Sequence, residues 1–318
     1  MYIDVFNGDA DGICALHQLR LAKPVDGLLV TGIKRDIGLL SRVSAGDGDC
    51  VTVLDISLDK NREALISLLD LGAKVTYFDH HFAGDIPLHP QLLANIDTQP
   101  DTCTSLLVNK TLQGKYRAWA VTAAFGDNLF ESARQAATSL NLSADDLELL
   151  KKLGTCINYN GYGASLDDLY FHPAELYKKI KPYENPFDFI KADDAFNVLL
   201  NGYEGDMSKA ASVTCESDDA GSTVYILPND KWARRVSGIY GNDLAQQHPD
   251  KAHAILTLKG EGVYQVSVRA PLKTKTGADT LCRQFATGGG RQAAAGINEL
   301  PESELEHFVR VFKQHFGG

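Results

Sequence analysis

The stretch AKVTYFDHH, residues 73–81, ends an apolar run with an acid and two adjacent histidines. Tyr77 and Phe78 favour a β-strand, so Asp79, His80 and His81 fall where a strand gives way to a loop. Three side chains that can bind a metal or carry a proton therefore meet at the end of one strand. Taken alone, the triplet is also typical of a solvated turn.

The same pattern recurs through the first 80 residues. YIDVF (2–6) leads into NGDADG and a helical stretch, DGLLVTGI (26–33) is a second strand candidate, and CVTVLDIS (50–57) leads into an amphipathic stretch that ends at Gly72. Strands that alternate with helices predict a parallel sheet with βαβ crossovers. Such sheets bind ligands beyond the carboxyl ends of their strands.

Several acids lie where these strands end. Asp9 and Asp11 are two residues apart, so in extended chain both point to one side. Asp55 closes an apolar strand, and Asp127 lies in the sequence FGDN. Each acid alone is explained by an Asx turn or a helix cap. Together with the DHH triplet they would repel one another at one sheet edge unless cations were bound.

The mixture of carboxylate and imidazole suits Mn²⁺ better than Mg²⁺. Two metal ions about 3.5–4 Å apart would serve phosphoryl chemistry. A bridging carboxylate is then needed, and Asp55, at the centre of the set, is the natural candidate.

The motifs NGDADG, VLD, DHH and GDN, in this order, resemble the DHH phosphoesterase superfamily. SVRA and TGGGR, further along the chain, resemble its companion substrate domain, DHHA1. The resemblance covers essentially the whole chain and implies an α/β protein with the active site between two domains. We expect a parallel-sheet DHH domain over residues 1–195, a linker over 196–222 and a smaller α/β DHHA1 domain over 223–318.

The resemblance also assigns roles. Asp9 would bind a first metal and Asp55 would bridge to a second; the expected ligands of the second are Asp11, His80 and Asp127. Asp79 would orient His80, and His81 would contact the scissile phosphate or protonate the leaving group. Many relatives have a histidine ligand of the first metal where this chain has Asn7, whose amide oxygen is a weaker ligand.

The second domain and one earlier segment supply candidate substrate contacts. The glycines of TGGGR would let backbone N–H groups approach an anion, and Arg291, where many relatives have histidine, offers a fork of donors. Thr104 and Ser105 resemble a family segment near the metals, although a helix N-cap explains them equally well. The full set is Arg269, Arg283, Gly288, Gly289, Gly290, Arg291, Thr104 and Ser105.

Composition limits the class of substrate and the cellular location that we expect. The formal net charge of −10 and the lack of a long basic stripe argue against long nucleic acid. No apolar run reaches the roughly 18 residues of a membrane span. The six cysteines form no CxxC pair, which favours reduced thiols and a cytoplasmic protein. The sequence is compatible with a homodimer.

These observations predict a phosphodiesterase with two Mn²⁺ ions, Mg²⁺ or Co²⁺ being alternatives. Its expected substrates are short, linear, 5′-phosphorylated nucleotides, above all pGpG, which it would convert to GMP. That activity is oligoribonuclease-like and would belong to c-di-GMP turnover. Three alternatives stay open: a pAp phosphatase, an exopolyphosphatase of the same superfamily, or a nucleotide-binding sensor that lost catalysis through Asn7.

Overall fold

The structure is a computed structural model that describes residues 1–317. The chain divides into two compact units, residues 1–203 and residues 204 onward. This division falls inside residues 196–222, the segment expected to be a linker. Most of that segment is the helix Ala195–Ala211, in which Phe196, Leu199 and Ala210 are buried.

Five strands form the sheet of the first unit: β1 Tyr2–Phe6, β2 Leu28–Val30, β3 Cys50–Leu54, β4 Lys74–Asp79 and β5 Leu92–Ile96. Every pair is parallel, and the strand order is β2-β1-β3-β4-β5. The predicted parallel sheet is therefore confirmed.

Nine α-helices begin in this part of the chain: α1 Ala10–Ala22, α2 Leu58–Asp70, α3 Thr104–Thr111, α4 Arg117–Gly126, α5 Phe130–Ala137, α6 Ala144–Asn160, α7 Pro173–Ile180, α8 Pro186–Ala192 and α9 Ala195–Ala211. They cover the sheet on both faces. Phe6, Leu54 and Phe78 are register partners and share a core with α1, α4 and α6. Val53 and Tyr77, one residue earlier, face the opposite core with α2. Burial on both faces is why these strands are almost continuously apolar.

The strand order determines where the acids that follow the strands lie. From β1 the chain crosses to β2 on one side, and β3 then pairs with β1 on the other side. The connections thus diverge between β1 and β3, the kind of point where open α/β sheets bind ligands. Asp9 follows β1 and Asp55 follows β3, so the two acids lie at this switch point.

The second unit holds β6 Ser217–Asp218, β7 Ser222–Leu227, α10 Lys231–Gln247, β8 Ala252–Gly260, β9 Val263–Arg269, α11 Ala278–Cys282, β10 Gly288–Gly290, β11 Ala294–Pro301 and α12 Leu305–Phe316. Its sheet is mixed, in the order β10-β11-β9-β8-β7-β6, and only the β7–β8 pair is parallel. β8 and β9 form an antiparallel hairpin. The α/β class expected for both parts of the chain is confirmed with it.

Across residues 1–317 we find no helix with the length and apolar character of a membrane span. The six cysteines are free thiols, four of them buried.

Candidate metal centre

Asp9 caps helix α1 and uses both of its carboxylate oxygens. Its Oδ1 accepts the backbone N–H groups of Asp11 and Gly12, each at 3.1 Å. Its Oδ2 accepts a hydrogen bond from Lys34 Nζ at 2.5 Å. Burial alone would raise the pKa of Asp9, but the Lys34 cation and these hydrogen bonds hold it below its usual value.

Asp11 lies in the first turn of α1 and caps a different helix. Its two carboxylate oxygens accept the backbone N–H groups of Thr104 and Ser105, both at 2.7 Å, at the start of α3. The Ser105 hydroxyl also donates to the Asp11 carbonyl at 2.9 Å. A carboxylate at a helix N-terminus is stabilised by the helix dipole. Thr104 and Ser105, expected to contact substrate, thus fix the orientation of Asp11.

Asp55 is surrounded by the other carboxylates of the site. It is 2% exposed and has a left-handed backbone with φ of 59°, a conformation that Asp and Asn tolerate better than most residues. The Thr104 hydroxyl donates to Oδ1 at 3.1 Å. Its pKa is raised well above the usual value, first by burial and then by the neighbouring carboxylates of Asp11, Asp9, Asp127 and Asp79.

His80 lies among three carboxylates. Its Nε2 is 3.4 Å from Asp55 Oδ1, 3.8 Å from Asp127 Oδ2 and 3.9 Å from Asp11 Oδ2. Ligand atoms of Asp11, His80 and Asp127 all lie within 4.8 Å of one another, as do those of Asp55, His80 and His81. Such spacing suits donors around one divalent cation. The mixed oxygen and nitrogen donors, and the uncompensated charge around Asp55, also fit an ion such as Mn²⁺.

The second histidine of the triplet has a different partner. His81 Nδ1 lies 2.8 Å from Asp79 Oδ1, and because a carboxylate only accepts, Nδ1 carries the proton. The expected contact of Asp79 with His80 is therefore wrong. Residues two apart in extended chain share a side, which places Asp79 beside His81. The hydrogen bond from His81 to Asp79 raises the pKa of His81, against the effect of burial.

Two oxygens at the site lack a hydrogen-bond partner among residues 1–317. One is Oδ2 of Asp79, a residue that is fully buried. The other is Oδ1 of Asn7, which is 5% exposed. Buried polar atoms without partners are unusual in proteins and often mark an ion or a water.

Asp127 ends helix α4 as its C-cap residue. Burial raises its pKa to about 6; Lys34 lowers it in part, and Asp11 and Asp9 raise it further. The carboxylate therefore lies between a cation on one side and the acid cluster on the other.

Lys34 is the main residue that the sequence interpretation missed. Its Nζ donates to Asp9 Oδ2 at 2.5 Å and to Asn158 Oδ1 at 2.9 Å, and it lies 3.5 Å from Asp127 Oδ1. Burial alone would lower its pKa, but Asp9 and the other nearby acids raise it well above the usual value. A signal was present, since Lys34 closely follows the predicted second strand and so falls at the same sheet edge.

In the second unit, Arg269 differs from the other two candidate arginines. Its guanidinium donates to Asn242 Oδ1 at 2.5 Å, to Ser267 Oγ at 3.0 Å and to the Gly238 carbonyl at 3.0 Å. These bonds fix it on α10. Arg283 and Arg291 are exposed.

The glycine triplet forms a short strand. Gly288, Gly289 and Gly290 form β10, which pairs with β11 at the edge of the second sheet. A Cβ at position 288 would lie 1.7 Å from the Cys282 carbonyl oxygen, so only glycine fits there. Part of this motif therefore serves close packing of the backbone.

Comparisons with known proteins agree on the fold. No protein-family model and no curated protein matches the chain. An exonuclease RecJ structure bound to manganese is 16% identical, with a TM-score of 0.65 over 99% of this chain and 90% of that chain. RecJ of Thermus thermophilus in complex with Mn²⁺ is 18% identical, with a TM-score of 0.56 over 98% of this chain and 51% of that chain. The pGpG-specific phosphodiesterase PggH of Vibrio cholerae is 11% identical, with a TM-score of 0.57 over 98% of this chain and 99% of that chain.

At these identities the likeness establishes the fold. The chain has the fold seen in the RecJ and PggH structures, as its ordered motifs indicated.

Proposed function

We propose that this chain is a metal-dependent phosphodiesterase that hydrolyses short, linear, 5′-phosphorylated dinucleotides, with pGpG as the leading substrate. The observation that carries the proposal is the acid cluster around His80 at the carboxyl ends of the parallel strands. The fold it shares with RecJ and with PggH supports the reaction class. The net charge of −10 favours a small substrate over a long phosphate backbone.

Asp11, Asp55, His80 and Asp127 would hold the ion, and Mn²⁺ suits them best, with Mg²⁺ and Co²⁺ as alternatives. A divalent ion there would offset charge on the phosphate and acidify a bound water. The residues around it have separate tasks. Asp11 is held by the N-terminus of α3, and Thr104 fixes Asp55 through its hydroxyl.

His81 is the proposed proton donor to the leaving 3′-oxygen. Asp79 holds its Nδ1, which leaves Nε2 for the substrate, and the side chain is 47% exposed. The Asp79 carboxylate raises the pKa of His81, so a larger fraction is protonated near neutral pH. Asp79 is then a positioning residue that acts through His81.

Arg291 and Arg283 are the proposed phosphate and base contacts of the second unit. Arg269, whose donors bind Asn242 and the α10 backbone, would instead support that surface. The glycines at 288–290 would let the chain approach the ligand closely at the sheet edge.

The test is turnover of pGpG, pApA, pAp, polyphosphate and an eight-residue RNA, side by side, with Mn²⁺, Mg²⁺ or Co²⁺. We expect pGpG to be consumed fastest and to yield GMP. Consumption of pAp or polyphosphate alone would reassign the substrate. Tight binding of pGpG without turnover in any metal would indicate a sensor.

Substitutions sharpen this test. We expect His81→Asn to lower kcat about 100-fold and Asp79→Asn about 10-fold, with little change in KM. His307→Asn, at an exposed histidine of α12, is the control and should leave turnover unchanged. An unaltered kcat in His81→Asn would remove this residue from the mechanism.

A further inference from the structure

Lys34 lies where the family resemblance places the first metal ion. That position is defined by Asp9 and by the residue at 7, a histidine in many relatives and Asn7 here. In this chain the charged group beside Asp9 is the Lys34 ammonium, 2.5 Å from Oδ2. The other Asp9 oxygen caps α1, so both oxygens already have partners while Lys34 is in place.

The ammonium is matched to its surroundings. An ammonium carries three protons, and three side-chain oxygens lie around Nζ, those of Asp9 at 2.5 Å, Asn158 at 2.9 Å and Asp127 at 3.5 Å. The Tyr162 ring lies on a further side, with its centroid 5.8 Å away. These groups come from separate parts of the chain. A surface lysine that fell against an acid by chance would lack such a shell.

The backbone of Lys34 is also fixed. Its N–H donates to the Gly161 carbonyl at 2.8 Å, at the end of α6. Its own carbonyl accepts from Asn7 Nδ2 at 3.3 Å. Asn7, expected as a weak metal ligand, thus holds the loop that delivers Lys34. A histidine at position 7 would change the group that makes this bond.

We propose that the Lys34 ammonium permanently occupies the first cation position, so that this chain binds one divalent ion, at Asp11, Asp55, His80 and Asp127. The inference rests on the metal dependence of the proposed function and replaces the expected pair of ions by one ion and one lysine. Lys34 neutralises Asp9 as a metal would. It cannot acidify a water, so that task falls to the single ion.

The proposal is tested by counting bound ions without substrate. Wild-type protein, Lys34→Met, Lys34→Arg and Lys151→Met are equilibrated with excess Mn²⁺, and bound manganese is measured by elemental analysis and by the EPR signal of coupled ions. Lys34→Met removes the charge and keeps much of the length. Lys151, a half-buried lysine of α6 paired with Glu148 and outside the site, provides the matched control.

We expect about one Mn²⁺ per chain in the wild type, in Lys34→Arg and in Lys151→Met, and about two in Lys34→Met, with spin coupling between close neighbours. The freed Asp9 and the partnerless Asn7 Oδ1 would supply donors for the added ion. The thermal midpoint of Lys34→Met should also rise more with Mn²⁺ than that of the wild type.

Two coupled Mn²⁺ ions in the wild type would overturn the proposal, even if Lys34→Met proved too unstable to measure. A folded Lys34→Met protein that still binds one ion would also overturn it. No bound ion in any variant would contradict the proposed function as well. One ion in the wild type without hydrolysis of any substrate would leave this inference standing and the proposed function rejected.

Discussion

Asp9 and Asp55 are equally buried, each 2% exposed, and they follow adjacent strands of one sheet, yet their environments are opposite. Asp9 has a lysine at 2.5 Å and two backbone donors, which hold its pKa below the usual value. Asp55 has one hydroxyl donor and four neighbouring acids, which together with burial raise its pKa.

The difference shows that burial alone does not decide the ionisation of a carboxylate. Both residues lose water, and the sign of the pKa shift follows from whether a cation or other anions lie nearby. The Asp9 end of the site is already neutralised by the protein, whereas the Asp55 end needs an ion. Substitutions at the two ends should therefore change stability in opposite directions.

The largest expected effect is at the Asp9 end. Asp9→Asn keeps a side chain that can cap α1 but removes the charge that balances Lys34. We expect the metal-free protein to lose about 3 kcal/mol of unfolding free energy, the low end for breaking a buried pair, because Asn158 and Asp127 still accept from Lys34. Urea unfolding in EDTA measures it.

The matched control is Asp26→Asn. Asp26 pairs with Lys181 at 2.6 Å, a similar ion pair on the exposed surface. Exposed pairs of this kind contribute little, so no measurable change is expected. Equal losses in the two variants would show that the Lys34–Asp9 pair acts as an ordinary surface contact and would remove the contrast with Asp55.

The next largest expected effect is a gain in unfolding free energy rather than a loss. Asp55→Asn removes like-charge repulsion, keeps an acceptor for Thr104 and suits the left-handed backbone. We expect the metal-free protein to gain stability, because burial and the neighbouring carboxylates disfavour the charged form of Asp55, which the neutral amide replaces. With saturating Mn²⁺ the order should reverse, because the wild type gains binding free energy that the variant loses. Urea unfolding with and without Mn²⁺ measures the two stability differences. A metal-free Asp55→Asn protein less stable than the wild type would show that the neighbouring acids do not destabilise Asp55.

The sequence predicted the positions of the acids in this site far better than the position of Lys34. Asp9, Asp11 and Asp55 directly follow or lie near predicted strand ends, and carboxyl ends of parallel strands share one edge. Their approach could therefore be inferred from local patterns alone. The same reasoning, applied with the two-residue period of extended chain, would have paired Asp79 with His81.

The same reasoning places Lys34 at this sheet edge but does not single it out. It lies in an irregular loop beside Arg35 and Asp36, and nothing in the letters tells which of these charged side chains turns inward. That choice is made by Asn158 on α6, 124 residues away, and by the Gly161 carbonyl that holds the loop. The strand formed by the glycine triplet could not be predicted locally either, because its pairing with β11 depends on the whole second sheet.

The smallest expected effect concerns Asp127, which lies between Lys34 and the acids around Asp55. Its pKa is about 6 in the folded protein against an ordinary 3.8, so the folded state binds more protons than the unfolded state between these values. Stability contributed by this group is therefore present at low pH and lost as pH rises through 6. Between about pH 5 and about pH 7 the wild type should lose about 1 kcal/mol relative to Asp127→Asn in the metal-free state.

The difference between the two proteins is the quantity to measure, by urea unfolding in EDTA at both pH values. The pKa values of His17 and His253 are lowered to about 4, so these histidines add stability as the pH rises. They do so equally in both proteins, and their contribution cancels in the difference. If the wild type gained stability relative to Asp127→Asn as the pH rose across this interval, Lys34 rather than the acid cluster would govern Asp127. The neutralised end of the site would then extend from Asp9 to Asp127, and the ion would be held by fewer charged ligands.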